Sequence, residues 1–80
     1  MTEPPAARRH LRKRSFALAG HRTSVALEPA FWAALETQAA ARGLSLAGLV
    51  AQVDAARTGE ASPPLASALR VFVLEAAGRA

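Results

Sequence analysis

Six consecutive residues, Arg22-Thr23-Ser24-Val25-Ala26-Leu27, alternate in character and run almost directly into a helix that opens on a proline. Alternation at period two places Thr23, Val25 and Leu27 on one face of a strand and Arg22, Ser24 and Ala26 on the other. The first face is largely apolar, the second small or polar. A strand standing alone leaves its backbone N–H and C=O groups unpaired, so this one requires a neighbour. Nothing after it supplies one, because the chain turns helical immediately. The same strand from a second copy of the chain meets the requirement with the fewest assumptions, which predicts an intermolecular pair.

Upstream, residues 15–19 (S-F-A-L-A) alternate more weakly, with Phe16 and Leu18 on one side, before Gly20 interrupts. The segment reads as a short edge strand or as an anchoring arm, since its serine and alanine positions carry little strand propensity.

Downstream, Pro29 suits a first helical position, where its missing N–H costs nothing. Phe31, Ala34, Leu35, Gln38 and Ala39 then follow a 3.6-residue period with Trp32 on the flank, and Arg42 with Gly43 supplies a helix end. The first helix is predicted over residues 29–42. Ser45 is an N-cap for a second helix carrying Leu46, Leu49, Val50 and Val53 at i, i+3, i+4 and i+7. Gly48 weakens this helix by about 1 kcal/mol relative to alanine, and is either tolerated there or needed for a close approach. Residues 58–64 (T-G-E-A-S-P-P) form a loop by composition. A third helix over 65–77 bears Leu65, Leu69, Phe72, Val73 and Ala76 on one side, with Val71 and Leu74 making part of the other side apolar too. Such a two-faced helix is expected between two surfaces.

A chain of 80 residues is at most one domain. At this size folding buries only about 60% of the unfolded chain's surface, so help from a partner is expected. With no cysteine, neither a disulfide framework nor a thiolate metal site provides it. The predicted dimer core draws on Val25, Leu27, Phe31, Leu35, Leu49, Val53, Leu69 and Phe72.

The formal charge of +4 is unevenly placed. Arg8, Arg9, Arg12, Lys13, Arg14 and Arg22 face Glu3 alone in the first 22 residues, whereas acidic and basic side chains nearly balance beyond. A basic arm ahead of a near-neutral body suits nucleic acid, because counterions leave the phosphates as the arm arrives. The arm, residues 1–14, is expected to be disordered and residues 15–80 to form the domain. Enzymatic chemistry is argued against: there is no cysteine, tyrosine or glycine-rich phosphate loop, and Asp54, Glu60 and Glu75 are scattered. His10 and His21 stand in a basic segment rather than among carboxylates, so neither a metal nor another cofactor is expected. No apolar run reaches the ~18 to 20 residues of a membrane helix. No apolar stretch of a secretory signal follows the basic residues, and the expected location is cytoplasmic.

The strings T-S-V-A-L-E-P-A-F-W-A-A-L and A-A-A-R-G-L-S-L-A-G-L-V resemble the ribbon-helix-helix family of dimeric DNA-binding regulators. K-R-S-F-A-L-A-G-H-R-T-S-V-A-L-E-P-A-F-W and S-A-L-R-V-F-V-L-E extend the likeness to a bacterial subgroup of that family with an added C-terminal helix. The resemblance implies a mainly α fold, β-α-α plus that helix, in an intertwined homodimer sharing an antiparallel two-stranded ribbon. It implies a transcriptional regulator whose ribbon enters the major groove of double-stranded DNA, with Arg22, Ser24 and Ala26 reading bases. Only Arg22 among them has the length for bidentate bonds.

Phosphate contacts would come from Arg8, Arg9, Arg12, Lys13, Arg14 and His21, and from the start of the second helix at Ser45 and Leu46. His21 could equally serve structurally, fixing the turn at Gly20 through a ring hydrogen bond. The alternative function is a homodimeric protein-interaction module on the same fold, and the third helix could dock another protein.

Overall fold

The structure, a computed structural model, describes residues 10–59 and 62–78. Strand β1 (Arg12–Leu18) and strand β2 (His21–Leu27) form an antiparallel ribbon. Helices α1 (Pro29–Ala41), α2 (Leu46–Ala56) and α3 (Leu65–Gly78) follow. A ribbon followed by helices is the architecture expected from the sequence.

The partner of β2, however, is β1 of the same chain. Leu18 pairs with His21 across a two-residue turn, and the register continues through Phe16 with Thr23 and Arg14 with Val25 to Arg12 with Leu27. Ala19 (φ 50°) and Gly20 (φ 83°) both take left-handed backbone angles, as the tight hairpin turn matched to strand twist requires. Glycine adopts such an angle freely, while alanine gives up roughly 1 kcal/mol or more. Ala-Gly is therefore a faint turn signal beside Asn-Gly, which is why the strand's need for a neighbour pointed to a second copy. The strand also starts earlier than residue 15. Arg12, Lys13 and Arg14, expected in a disordered arm, are the first three residues of β1. Residues 1–9 of that arm lie outside the described residues.

The helix ends follow from local chemistry. Gly43 (φ 71°) closes α1: its N–H donates to Ala40 O at 3.1 Å and that of Leu44 to Ala39 O at 2.8 Å, the paired bonds of a glycine-terminated helix. Ser45 caps α2, its Oγ accepting from Gly48 N at 3.0 Å. A Cβ at Gly48 would stand 3.2 Å from that same Oγ. The glycine thus allows the close approach on which the cap depends.

One face of the ribbon lies on the helices. Phe16, Leu18, Val25 and Leu27 are buried there, joined by Trp32, Leu35 and Ala39 of α1, Leu49 and Val50 of α2, and Leu65 and Leu69 of α3. Of the residues assigned to a dimer core, Val25, Leu27, Leu35, Leu49 and Leu69 are thus buried within one chain, and Phe31, Val53 and Phe72 pack on them partly exposed. The α1 stripe keeps the expected Leu35 and Ala39 but turns toward Trp32 in place of Phe31. Trp32, Leu35 and Ala39 are its buried side chains, and Phe31 moves to the flank. The reason is visible at Trp32, whose indole needs both burial and a polar partner. Its Nε1 donates to Arg12 O at 2.8 Å, and its ring lies 5.9 Å from that of Phe16.

Helix α3 closes the other side of the core. Arg70 donates from Nε (3.1 Å) and Nη2 (2.8 Å) to Glu28 Oε1 and lies 5.6 Å from the Phe31 ring centre, while Arg42 lies 5.0 Å from that of Phe72. The linker before α3 is held by Arg57, which donates to Pro63 O at 2.6 Å and Asp54 Oδ1 at 3.2 Å. Val71 and Leu74 remain exposed on the far side of α3.

Candidate nucleic-acid interface

The face of the ribbon turned away from the helices consists of Lys13, Ser15 and Ala17 from β1 and Arg22, Ser24 and Ala26 from β2. Alternation dictates the set: the residues between them supply the buried Phe16, Leu18, Val25 and Leu27. Lys13 stands opposite Ala26, Ser15 opposite Ser24 and Ala17 opposite Arg22. The two cations therefore occupy diagonal corners. Between them the side chains are short, and Ser15 Oγ meets Ser24 Oγ at 3.0 Å. Ala26 is half-buried and the other five are exposed. The surface is narrow, hydrogen-bonding at its centre and positive at both ends.

Arg22, Ser24 and Ala26, expected to share one outward face, do so. Ser15 and Ala17 on the same face were missed, although Phe16 and Leu18 between them already alternated; extending that alternation back to Lys13 would have found them. Lys13, expected among the phosphate contacts, also belongs to this face.

The other cations are dispersed. Arg14 points to the covered side, its guanidinium 5.0 Å from the Trp32 ring centre and its Nη1 2.9 Å from Glu36 Oε2. In the free chain its guanidinium is thus engaged by α1 through an exposed ion pair and a ring contact. Arg12 lies on the same side at the ribbon's foot, where an open groove of about 670 Å³ separates β1 from the start of α1. The groove is lined by Arg12, Lys13 and Arg14 of β1 and by Glu36 of α1, and the Arg14 and Glu36 side chains pair across it. His21 is exposed beside the turn, and among the described residues its ring makes no hydrogen bond that would fix Gly20. Arg8 and Arg9 lie outside the described residues.

At the start of α2 the Ser45 hydroxyl accepts from Gly48 N, which leaves its own hydrogen free to donate. The backbone N–H groups of Leu46 and Ala47, in the first turn, have no intrahelical acceptor.

Among the described residues no three His, Asp or Glu side chains are grouped to hold a metal ion. No helix there is long and apolar enough to cross a membrane.

A two-stranded ribbon with a polar outer face, carried on a short helical bundle, defines a small ribbon-presenting domain. The chain matches the ribbon-helix-helix domain family over residues 11–77 and belongs to it. Members are typically DNA-binding regulators on a non-enzymatic fold, and the family generally dimerises. Neither a curated protein nor a solved structure matches the chain.

Proposed function

We propose that the protein binds double-stranded DNA as a transcriptional regulator, laying the outer face of its ribbon in the major groove. The observation that carries this reading is the exposed ribbon face with Lys13 and Arg22 at diagonal corners and only short side chains between them. A major groove about 12 Å wide admits a two-stranded ribbon, and short central side chains let the backbone approach the base edges. Arg22 supplies the bidentate contact to guanine; Ser24 and Ala26 follow the groove floor. Arg8, Arg9, Arg12, His21 and the α2 start at Ser45 and Leu46 hold phosphates, a task suited to helix N-termini.

Homodimerisation belongs to the same proposal, but its basis shifts. With β2 paired to β1 of the same chain, a second copy can meet the outer side of α3, where Val71 is 50% and Leu74 65% exposed, or the free outer edges of the two strands.

The test is selection of bound duplexes from a random pool at one stated salt concentration, followed by Arg22→Ala. The expected result is an enriched sequence whose binding falls roughly 5- to 100-fold more than that of random duplex. Equal losses on both would reassign Arg22 to phosphate contact. Retention of no duplex, with a different protein captured through α3, would favour the protein-interaction module instead.

A further inference from the structure

The two strands of the ribbon carry one pattern twice. Lys13-Arg14-Ser15-Phe16-Ala17-Leu18 and Arg22-Thr23-Ser24-Val25-Ala26-Leu27 agree in a basic first residue, a serine third, a bulky apolar fourth, then alanine and leucine, and differ at the second, Arg14 against Thr23. In the observed register Ser15 lies opposite Ser24, and these are the middle residues of β1 and β2. A local two-fold axis therefore passes between them, normal to the ribbon. A half-turn about it exchanges Lys13 with Arg22, Ser15 with Ser24 and Ala17 with Ala26. On the covered face it exchanges Phe16 with Val25 and Leu18 with Leu27, all four of them buried. The contact between the two serine hydroxyls lies on the axis.

Two copies of one strand, paired antiparallel across a dimer axis, would produce the same symmetry. Here a single chain builds it. Two-fold protein symmetry is matched on DNA by an inverted repeat.

We propose that one chain is a complete reading unit for a short inverted repeat in duplex DNA, with Lys13 reading one half-site and Arg22 the other. The inference rests on the DNA-binding reading above and adds the form of the site, the number of chains that read it and a base-reading role for Lys13. Lys13 and Arg22 are four residue positions apart along the ribbon, about 13 Å. At 3.4 Å per step this spans about four base pairs. Both side chains favour the O6 and N7 acceptors of guanine, and Ala17 and Ala26 offer methyl groups suited to thymine. The predicted site has guanines on opposite strands about four base pairs apart. The arginine fork is preorganised for two acceptors and the lysine ammonium is not, so the Arg22 half is read more strictly.

The experiment compares duplexes selected by the full chain with those selected by Lys13→Ala, Arg22→Ala and Lys13→Arg, at one salt concentration and with thermal melting as the control for folding. The expected result is an inverted repeat for the unmodified chain. Each alanine variant should relax a single half-site by roughly 5- to 100-fold, and Lys13→Arg should tighten the weaker half. A second measurement reads the topology. Directly opposed strand residues have the Cα separation a disulfide needs, so oxidised Ser15→Cys/Ser24→Cys should close within one chain and keep single-chain mass. The proposal is overturned if Lys13→Ala leaves motif and affinity unchanged while Arg22→Ala abolishes binding, or if the cysteines link two chains instead. If the unmodified chain retains no duplex, the DNA-binding reading falls as well.

Discussion

Trp32 donates its indole N–H to the carbonyl of Arg12 at 2.8 Å, tying the first residue of the ribbon to the first turn of α1. The ring is 2% exposed, so both its apolar body and its polar edge are satisfied by burial against β1. Trp32→Phe keeps an aromatic ring, loses the donor and leaves space behind. The expected cost is about 2 kcal/mol, the sum of a lost hydrogen bond and imperfect refilling. Urea unfolding followed by circular dichroism should show a lower midpoint with unchanged slope. An unchanged midpoint would mean that the ribbon is not anchored at this point.

The turn at Ala19-Gly20 gives a prediction of opposite sign. Ala19 sits at φ 50°, where a β-carbon is crowded, and asparagine tolerates this region better. Ala19→Asn should therefore stabilise the chain by roughly 0.5 to 1 kcal/mol. Gly20→Val should destabilise it by more than 1 kcal/mol, because a branched side chain at φ 83° is strained even in open space. Should both variants melt with the unmodified chain, the hairpin is not the arrangement of the ribbon in solution.

The same turn marks where the sequence stopped being legible. The helices could be read almost to the residue, because Pro29, Gly43 and Ser45 each act through local backbone chemistry that composition records. The outward set Arg22, Ser24 and Ala26 was legible for a similar reason, since alternation depends only on strand geometry. The partner of β2 was not, because pairing is a long-range choice and its one local signal, Ala-Gly, is weak. The Lys13 to Leu18 repeat of the β2 pattern was the stronger sign, visible only when the two segments are aligned. The commitment of Arg14 to Trp32 and Glu36 lay beyond the sequence altogether, since it depends on how α1 is rotated beneath the ribbon.

Acid should loosen the junction between α1 and α3. The Glu28 carboxyl is held below its ordinary range, first by the hydrogen bond from Arg70 and then by a backbone hydrogen bond. A carboxylate depressed in the folded state contributes stability at pH values above its unfolded pKa, and that contribution disappears as pH falls through the folded value. Glu28→Gln removes the titration. The variant should be less stable than the unmodified chain near neutrality, and the two should converge in strong acid. Urea midpoints measured across that range would show parallel curves if the Glu28 and Arg70 pair contributes nothing.

Val71 and Leu74 lie on the side of α3 that faces away from Leu65, Leu69 and Ala76, and both are largely exposed. The family generally dimerises, and under the dimerisation proposed above a second copy would cover this surface. The arrangement would leave the ribbon of each chain intact and give a dimer two reading faces. Val71→Asp with Leu74→Glu places like charges on both sides of such a contact without touching the core, so thermal melting of the monomeric fold should be retained. Sedimentation at micromolar concentration should show a dimer for the unmodified chain and a monomer for the double variant. A double variant that still sediments as a dimer would place the contact elsewhere, the free edges of β1 and β2 being the next surfaces to test. If the unmodified chain is itself monomeric, each ribbon acts alone and the basic residues around it must supply the whole affinity. The salt dependence of binding would separate those cases, since log affinity falls with log salt concentration in proportion to the phosphates neutralised. A dimer that engages two ribbons should show about twice the slope of its monomeric variant.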